Sequence, residues 1–357
     1  MEKPIRVGFL GSGGIAQAHA YALDALKFYY SDAPNIEKAV VASPTRANRE
    51  RFAARFGFQE AIAPETIWGR EDIDTLYILG PNPTHTPQLI KAASLPHIKR
   101  IYVEKPVGTT RQDIQALESL DQSAHGKFIM AGFQFLHKSP LRQALAHWQS
   151  GDFGELVHFR AEYLHSSYLN PSYRRQHPER LLQIPENGAA ADLGSHVLSL
   201  LTAFLGGDLK VVTAKASGRL PYVPENTDLC TTVMLEQPQS GAVGTLVASR
   251  ISAGTGDQLS LELRGLNGAI LFDTAQPDCY QSYLPDEGWR RHTVYSDYLP
   301  ASKFPSDYVP SGWLRAMVHN HYLFLGGDPG ISAVPDLAHA IIVQRLLQDI
   351  ADCVLSG

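Results

Sequence analysis

The chain is short of cysteine, of charge and of long apolar runs, and each shortage removes a class of protein. Its three cysteines, Cys230, Cys279 and Cys353, lie far apart, are odd in number and form no C-x-x-C pair. That argues against a disulfide framework and against a cysteine zinc site, and leaves small buried or half-buried thiols. Charged residues make up 19% of the chain against 44% hydrophobic, too little charge and too much apolar surface for a disordered protein. The formal net charge of -5, with no dense block of Lys and Arg, excludes nucleic acid or an anionic membrane surface as the main partner. No apolar run is long enough to span a bilayer. The opening Met1-Glu2-Lys3-Pro4-Ile5-Arg6 runs into a strand without a signal-peptide core, so a cytoplasmic location is expected.

What is present is enough chain, 357 residues, for two domains, with no internal repeat. Over residues 1–130 short apolar strands alternate with helical patterns: strands at 6–10, 38–42, 74–79, 100–103 and 127–131, helices at 15–26, 46–56, 86–95 and 109–122. This rhythm predicts an α/β fold, a doubly wound parallel sheet with helices on both faces. From residue 131 to 357 the rhythm changes. A helix at 139–150 and a strand at 154–162 precede a helix at 197–205, and β-rich stretches follow at 210–217, 229–235, 244–250, 258–264 and 268–272. Their polar/apolar alternation and tight turns predict a second α/β domain with an open, mostly antiparallel sheet. Residues 285–312 read as a long irregular excursion before closing helices at 313–325 and 335–355.

Gly11-Ser12-Gly13-Gly14-Ile15-Ala16 follows the first strand and opens the first helix, in the pattern G-x-G-x-x-A. The first glycine suits a tight turn and the second a close approach of backbone to pyrophosphate. The small last residue suits close helix–strand packing. Phosphate charge is favoured at the helix N-terminus. The residue about twenty positions past Gly11 is Asp32, but Ser31-Asp32-Ala33-Pro34-Asn35 has turn composition, so Asp32 reads as a solvated loop residue. The ribose position at the end of the second strand falls on Ser43, with Arg46 just beyond. Serine does not repel a 2′-phosphate and Arg46 can pair with one, so NAD(P) is expected with a lean toward NADP.

Two further motifs carry chemistry. Val103-Glu104-Lys105-Pro106-Val107 puts a lysine at a strand end, where open α/β sheets bind ligands. Asp192-Leu193-Gly194-Ser195-His196 puts an aspartate and a histidine four apart at a helix start, on one face. Such a pair invites a metal, but no third ligand lies nearby and hydride transfer needs none. His319-Asn320-His321 offers two more imidazoles, which at i and i+2 do not share a helix face; one of them is a candidate to reach the substrate, and a solvated or capping role is the one expected.

Together with Pro81-Asn82-Pro83-Thr84-His85 and the run Gly188 to His196, these motifs resemble the Gfo/Idh/MocA family (glucose–fructose oxidoreductase, inositol dehydrogenase, rhizopine catabolism) over essentially the whole chain. The resemblance implies an N-terminal Rossmann domain and a C-terminal domain for substrate binding and oligomerisation. It casts Lys105 as the active-site lysine holding the reacting oxygen, or acting as base if burial lowers its pKa. His196 takes the hydroxyl proton, and Asp192 binds a substrate hydroxyl or orients the base. Pro81, Asn82 and His85 fall in a loop along the cofactor, although His85 also reads as a plain helix-start cap. Glu104 falls near the nicotinamide ribose. Where many relatives carry Asn-Arg-Arg or Asn-Tyr-Arg, this chain has Gln134-Phe135-Leu136, then His137, so the usual sugar-facing cation is missing there. Gln134, Tyr163, Tyr168, Tyr173 and Arg174 are the candidate sugar contacts.

The reaction implied is oxidation of a secondary hydroxyl on a sugar, glycoside or cyclitol, with the substrate between the nicotinamide and the second sheet. A dimer or tetramer is expected. Two rivals are a redox-neutral glycoside hydrolase with tightly held NAD and a non-catalytic ligand or cofactor sensor on the same fold. The first is distinguished by the lack of net cofactor turnover, the second by surviving Lys105→Ala.

Overall fold

The computed structural model describes residues 3–123, 126–178, 181, 188–218, 220–221, 223–224, 227–300, 304, 309–310 and 312–356. The chain divides into two compact units, one of Met1–Gly108, Gln112–His137 and Asp297–Ala338, the other of Thr109–Arg111, Lys138–Ser296 and His339–Gly357.

The first unit runs β1 (Ile5–Leu10), α1 (Gly14–Tyr29), β2 (Ile36–Ala42), α2 (Arg46–Phe56), β3 (Glu60–Ile62), β4 (Thr75–Ile78), α3 (His85–Ser94), β5 (Arg100–Val103), α4 (Arg111–Ser123) and β6 (Phe128–Ala131). Its six strands lie in the order β3-β2-β1-β4-β5-β6, parallel throughout. Sequential strands move one way from β1 to β3, then jump back to β4. The crevice at that switch point is where such sheets bind ligands. Val7, Phe9, Val41, Tyr77 and Tyr102 are fully buried, as strands covered on both faces require. α2 ends where expected, at Gly57 in the left-handed region. The three-residue edge strand β3 was beyond the reach of periodicity.

The second unit holds α5 (Ser139–Trp148), β7 (Leu156–Leu164), α6 (Pro171–Gln176), α7 (Ser195–Leu205), β8 (Lys210–Ser217), β9 (Cys230–Gln237), β10 (Ala242–Ser249), β11 (Gln258–Gly265), β12 (Ala269–Asp273), β13 (Cys279–Leu284) and β14 (Gly288–Thr293). Its eight strands take the order β14-β13-β12-β11-β7-β10-β9-β8. Every pairing is antiparallel except β10 with β7. Residues 285–312 are therefore not wholly irregular, because β14 closes a hairpin on β13. Trp289, Arg290 and Arg291 are all exposed, so this edge strand shows no alternation to read.

α8 (Gly312–Phe324) belongs to the first unit and packs on α1, which a single division of the chain at residue 130 does not anticipate. α9 (Leu337–Ser356) lies, but for its first residues, in the second unit. Residues Arg315 to Phe324 are buried without a break, so α8 is enclosed on all sides. The histidines expected to be solvated or capping are inside: His319, Asn320 and His321 are at most 1% exposed. They do face different ways. His319 lies between the Tyr30 hydroxyl (2.6 Å) and Ser332 Oγ (3.0 Å), while His321 stacks on Tyr77 and Tyr102 of the sheet. Asp32 is exposed, yet it accepts the Tyr322 hydroxyl at 2.8 Å. Burial, then Asp32, pushes that phenol up to about 12. Among the described residues no helix is long and apolar enough to cross a membrane.

Candidate active site

The glycine turn sits at the switch point with the geometry a dinucleotide needs. Gly11 has φ +129, and a Cβ there would lie 2.7 Å from the Leu79 carbonyl, so only glycine fits. Its N–H donates to Ala42 O at 2.8 Å, fixing the turn to the end of β2. A Cβ on Gly13 or Gly14 would meet nothing within 4 Å, so the outer wall of the turn is open. α1 starts on Gly13 with no side-chain cap and no acidic residue in its first turn, leaving its leading N–H groups for phosphate oxygens. These residues fit the diphosphate of a nicotinamide dinucleotide. Ser12 Oγ donates to Ser43 Oγ at 2.9 Å, and Ser43 is buried at the end of β2. Arg46 is 80% exposed and paired with Glu50, whose hydrogen bond and charge raise its pKa. Arg49 donates to the Ser43 and Pro44 carbonyls.

The ends of β4 and β5 are joined by His85. It is more than a helix-start cap: its buried ring places Nδ1 2.7 Å from Pro106 O and Nε2 2.9 Å from Gly80 O. Burial lowers its pKa, and the two carbonyls oppose that only in part. Pro81 and Asn82 stand in the turn just before it, where Thr84 Oγ1 donates to Pro81 O at 2.7 Å.

Glu104 is 6% exposed and packs on Gly132, where a Cβ would lie 2.7 Å from its Oε1. It accepts the Lys105 N–H at 3.2 Å through Oε2. Its Oε1 lies 2.9 Å from His19 Nε2, and His19 Nδ1 lies 2.9 Å from His321 Nε2. The proton order follows from the far end. Met317 O can only accept, so His321 Nδ1, 2.8 Å away, carries a proton. Burial first, then the charge of His19, holds His321 well below its ordinary pKa, so it is neutral and its Nε2 accepts. His19 therefore donates through Nδ1, and one further proton lies between His19 Nε2 and Glu104. Burial alone would raise Glu104, but the His19 hydrogen bond, with the charges of His19, Lys105 and His85, brings it below the usual value. Sequence reading missed His19 and His321 as supports of the Glu104-Lys105 motif. The signal was available only as a histidine on the apolar face of α1.

In the second unit the Asp192/His196 motif is not a plain helix start. Ala190–Gly194 is a single π-helical turn running into α7. Gly188, at φ +144, faces the buried Asp228, whose Oδ2 accepts the Ala190 N–H at 2.7 Å. Asp192 is paired at 2.9 Å with Arg250, a guanidinium only 1% exposed that also lies 4.8 Å over the Tyr168 ring. His196 is 5% exposed and meets the Tyr163 ring edge-on at 5.9 Å. The Tyr163 hydroxyl donates to Asp257 Oδ1 at 2.6 Å, and His165 Nε2 lies 3.1 Å from the same oxygen. Burial would raise Asp257, but His165 and Tyr163, with the charge of His196, lower it. Arg250 and Asp257 carried no motif.

The other proposed sugar contacts have structural partners. The Gln134 amide, oriented to satisfy both ends, donates to Gly132 O at 2.8 Å and accepts from Trp313 Nε1 at 3.2 Å. Arg174 is buried and donates to the carbonyls of Tyr168 and Leu169. Tyr173 packs between Tyr168 and His177.

Comparison with known proteins agrees with the fold. Residues 5–133 match the model described as oxidoreductase family, NAD-binding Rossmann fold. Residues 141–271 match the GFO/IDH/MocA C-terminal domain. The levoglucosan dehydrogenase of Pseudarthrobacter phenanthrenivorans is 26% identical over 82% of this chain and 80% of its own. A dTDP-3,4-didehydro-2,6-dideoxy-alpha-D-glucose 3-reductase of Saccharopolyspora spinosa is 29% identical over 84% of each. Among solved structures, a levoglucosan dehydrogenase in complex with NADH and levoglucosan superposes with TM-score 0.85 at 24% identity, covering 99% of this chain and 98% of that one. An NAD binding oxidoreductase from Klebsiella pneumoniae gives 0.83 at 26% identity over 99% and 98%.

Proposed function

The chain belongs to the GFO/IDH/MocA family of oxidoreductases, and from that premise we propose that it moves a hydride between a nicotinamide dinucleotide and a secondary hydroxyl of a sugar, glycoside or cyclitol. The observation that carries the reading is the open glycine turn at the switch point, in the same sheet as Lys105 at the end of β5. Residues Gly11 to Ile15 would hold the diphosphate, Ser43 the adenosine ribose, and Pro81, Asn82, His85 and Glu104 the wall beside the nicotinamide half. Bound there, the nicotinamide ring supplies the hydride acceptor or donor.

The residues do the rest. Lys105 donates a hydrogen bond to the reacting oxygen and stabilises its developing negative charge. His196 accepts the hydroxyl proton as the hydride leaves. Asp192, paired with Arg250, binds a substrate hydroxyl or orients the base. The relatives named for levoglucosan and for dTDP-sugars make neutral anhydrosugars and hexoses the first substrates to try.

The site is read as taking NADP as well as NAD. β2 ends in Ser43, not a carboxylate, and the Arg46–Glu50 pair is exposed to solvent, which screens it, so Arg46 is readily released. Free Cys230, Cys279 and Cys353 suit a reducing cytoplasm. Exposed Val157, Val212, Met234 and Val243 on the second sheet suit a homo-oligomer.

The test follows reduced-nicotinamide absorbance with NAD or NADP and a panel of sugars, anhydrosugars, glycosides and cyclitols. Sustained reduction with one substrate, lost about 10²-fold in His196→Ala while cofactor still binds, is the expected result. Aryl-glycoside cleavage without net reduction would replace the dehydrogenase by the hydrolase.

A further inference from the structure

A buried acid in the second unit has no part in the chemistry described so far. Asp228, two residues before β9, is 0% exposed. It takes up the leading backbone donors of the π-helical turn that carries Asp192. Its carbonyl accepts the Ala189 N–H at 3.0 Å, and its Oδ2 accepts the Ala190 N–H at 2.7 Å. Donors at a helix N-terminus have no partner within the helix, and a carboxylate there is favoured by the helix dipole. Gly188 permits this approach, since a Cβ on it would lie 2.6 Å from the same Oδ2. The turn is held from a second side by Arg250, whose guanidinium pairs with Asp192. The Arg250 N–H donates to Leu229 O at 2.8 Å, so the chain segments bearing Asp228 and Arg250 are tied together. Between these anchors the turn packs on β10, where a Cβ on Gly194 would lie 3.5 Å from the Ala248 Cβ.

The winding of the turn decides how Asp192 and His196 stand to each other. The Ser195 N–H bonds to Ala190 O, five residues back. In an α-helix a four-residue step overshoots a full turn by about 40°. A π-helical stretch turns less per residue, which brings Asp192 and His196 nearer to one line along the helix. We propose that Asp228 is a positioning residue of the reaction: by fixing the N–H groups of Ala189 and Ala190 it holds the π-helical turn, and so sets Asp192 and His196 in line toward the same substrate hydroxyl. This rests on the sugar-oxidoreductase reading. Asp228 is enclosed by protein and acts only through the turn. Burial raises its pKa against the pull of the Ala190 hydrogen bond, so an uncharged side chain of the same shape is tolerated there.

The experiment uses the full chain as wild type, Asp228→Ala, Asp228→Asn, His196→Ala and the double variant of His196→Ala with Asp228→Ala. Turnover of the best sugar is expressed per mole of protein that binds NADH, which removes any unfolded fraction. Asp228→Ala is expected to lower kcat by about 10²-fold, to change KM less, and to keep NADH binding. Asp228→Asn keeps an oxygen for the Ala190 N–H and is expected to recover most of that loss. In the His196→Ala background, Asp228→Ala is expected to cost at least about fivefold less than in wild type, because residues that act as a unit do not multiply their losses. If Asp228→Ala yields no protein that binds NADH, Asp228→Ser takes its place, its hydroxyl being one bond too short to reach the Ala190 N–H. The same loss in both backgrounds would mean a structural role and overturn the proposal. Unchanged kcat in Asp228→Ala, or Asp228→Asn as damaging as Asp228→Ala, would overturn it too, while leaving the dehydrogenase reading in place. A wild type that cleaves aryl glycosides without net reduction overturns the dehydrogenase reading, and the same variants run on that cleavage then decide the role of Asp228 by the same criteria. A wild type with neither activity overturns both.

Discussion

Acid should destabilise the first unit through a single imidazole, His321. The group is fully buried, its Nδ1 gives a proton to Met317 O, and its Nε2 accepts from His19. A second proton on His321 would break the bond to His19 and leave a charge in a dry aromatic stack. The folded pKa accordingly lies well below the ordinary value, because of burial first and His19 second. In the unfolded chain the same ring titrates near pH 6.5. Below that pH the unfolded state binds a proton that the folded state refuses, so stability falls as pH falls through about 6.5 and continues down toward the folded pKa. One proton corresponds to about 1.4 kcal/mol per pH unit, hence roughly 2 kcal/mol between about pH 6.5 and 5. His85 is shifted in the same direction by burial and adds to the slope. Glu104 is depressed too, but its loss begins only below the carboxylate range of about 4, outside this window.

His321→Gln can keep hydrogen bonds to His19 and has nothing to titrate. The variant is expected to be less stable than wild type near neutral pH and to close that gap by about 2 kcal/mol as pH drops to about 5. Urea unfolding of the full chain at several pH values gives the comparison, and using only the difference between the two proteins avoids assuming that both units melt together. Parallel stability curves for the two proteins would refute the proton order derived for His19, His321 and Glu104.

Gly11→Ala should abolish dinucleotide binding at concentrations that saturate wild type, because the new Cβ lies 2.7 Å from the Leu79 carbonyl in a backbone conformation L residues avoid; fluorescence titration with NADH is the check. Gly13→Ala meets no atom of the protein, so any loss it causes measures the closeness of the dinucleotide itself. Arg46→Ala should weaken NADP binding while leaving NAD nearly unchanged, as titration with the two cofactors would read. Equal effects on the two would remove Arg46 from 2′-phosphate recognition.

The parts legible in the sequence were those in which a residue's role is set by its immediate neighbours. Gly11 to Ala16 between a strand and a helix, and a strand ending in Glu104-Lys105, need only a few residues of context, and the structure puts both at the C-terminal ends of parallel strands of one sheet, β1 and β5, with β4 between them. The alternating stretches of the second half gave the antiparallel sheet for the same reason, down to Lys210–Ser217. What failed was whatever depends on burial by distant chain. Charge and hydrogen-bonding capacity are local, but burial is not, and it is burial that turns an ordinary polar side chain into a positioned one. Nothing in His319-Asn320-His321 shows that α8 folds back against α1 about 300 residues earlier and excludes water from all three. Asp257 follows Gly254-Thr255-Gly256 and looks like a solvated turn, and Arg250 looks like the polar end of a strand. Each acquires its significance from what surrounds it: a buried guanidinium for Asp192, and two donors on one oxygen of Asp257. The same reasoning ranks the sequence candidates. Gln134 and Arg174 have the right chemistry for sugar, but their donors are taken up by Gly132 O and by the Tyr168 and Leu169 carbonyls. Donors and acceptors left over after folding, not polar residues as such, are what a site can offer a substrate.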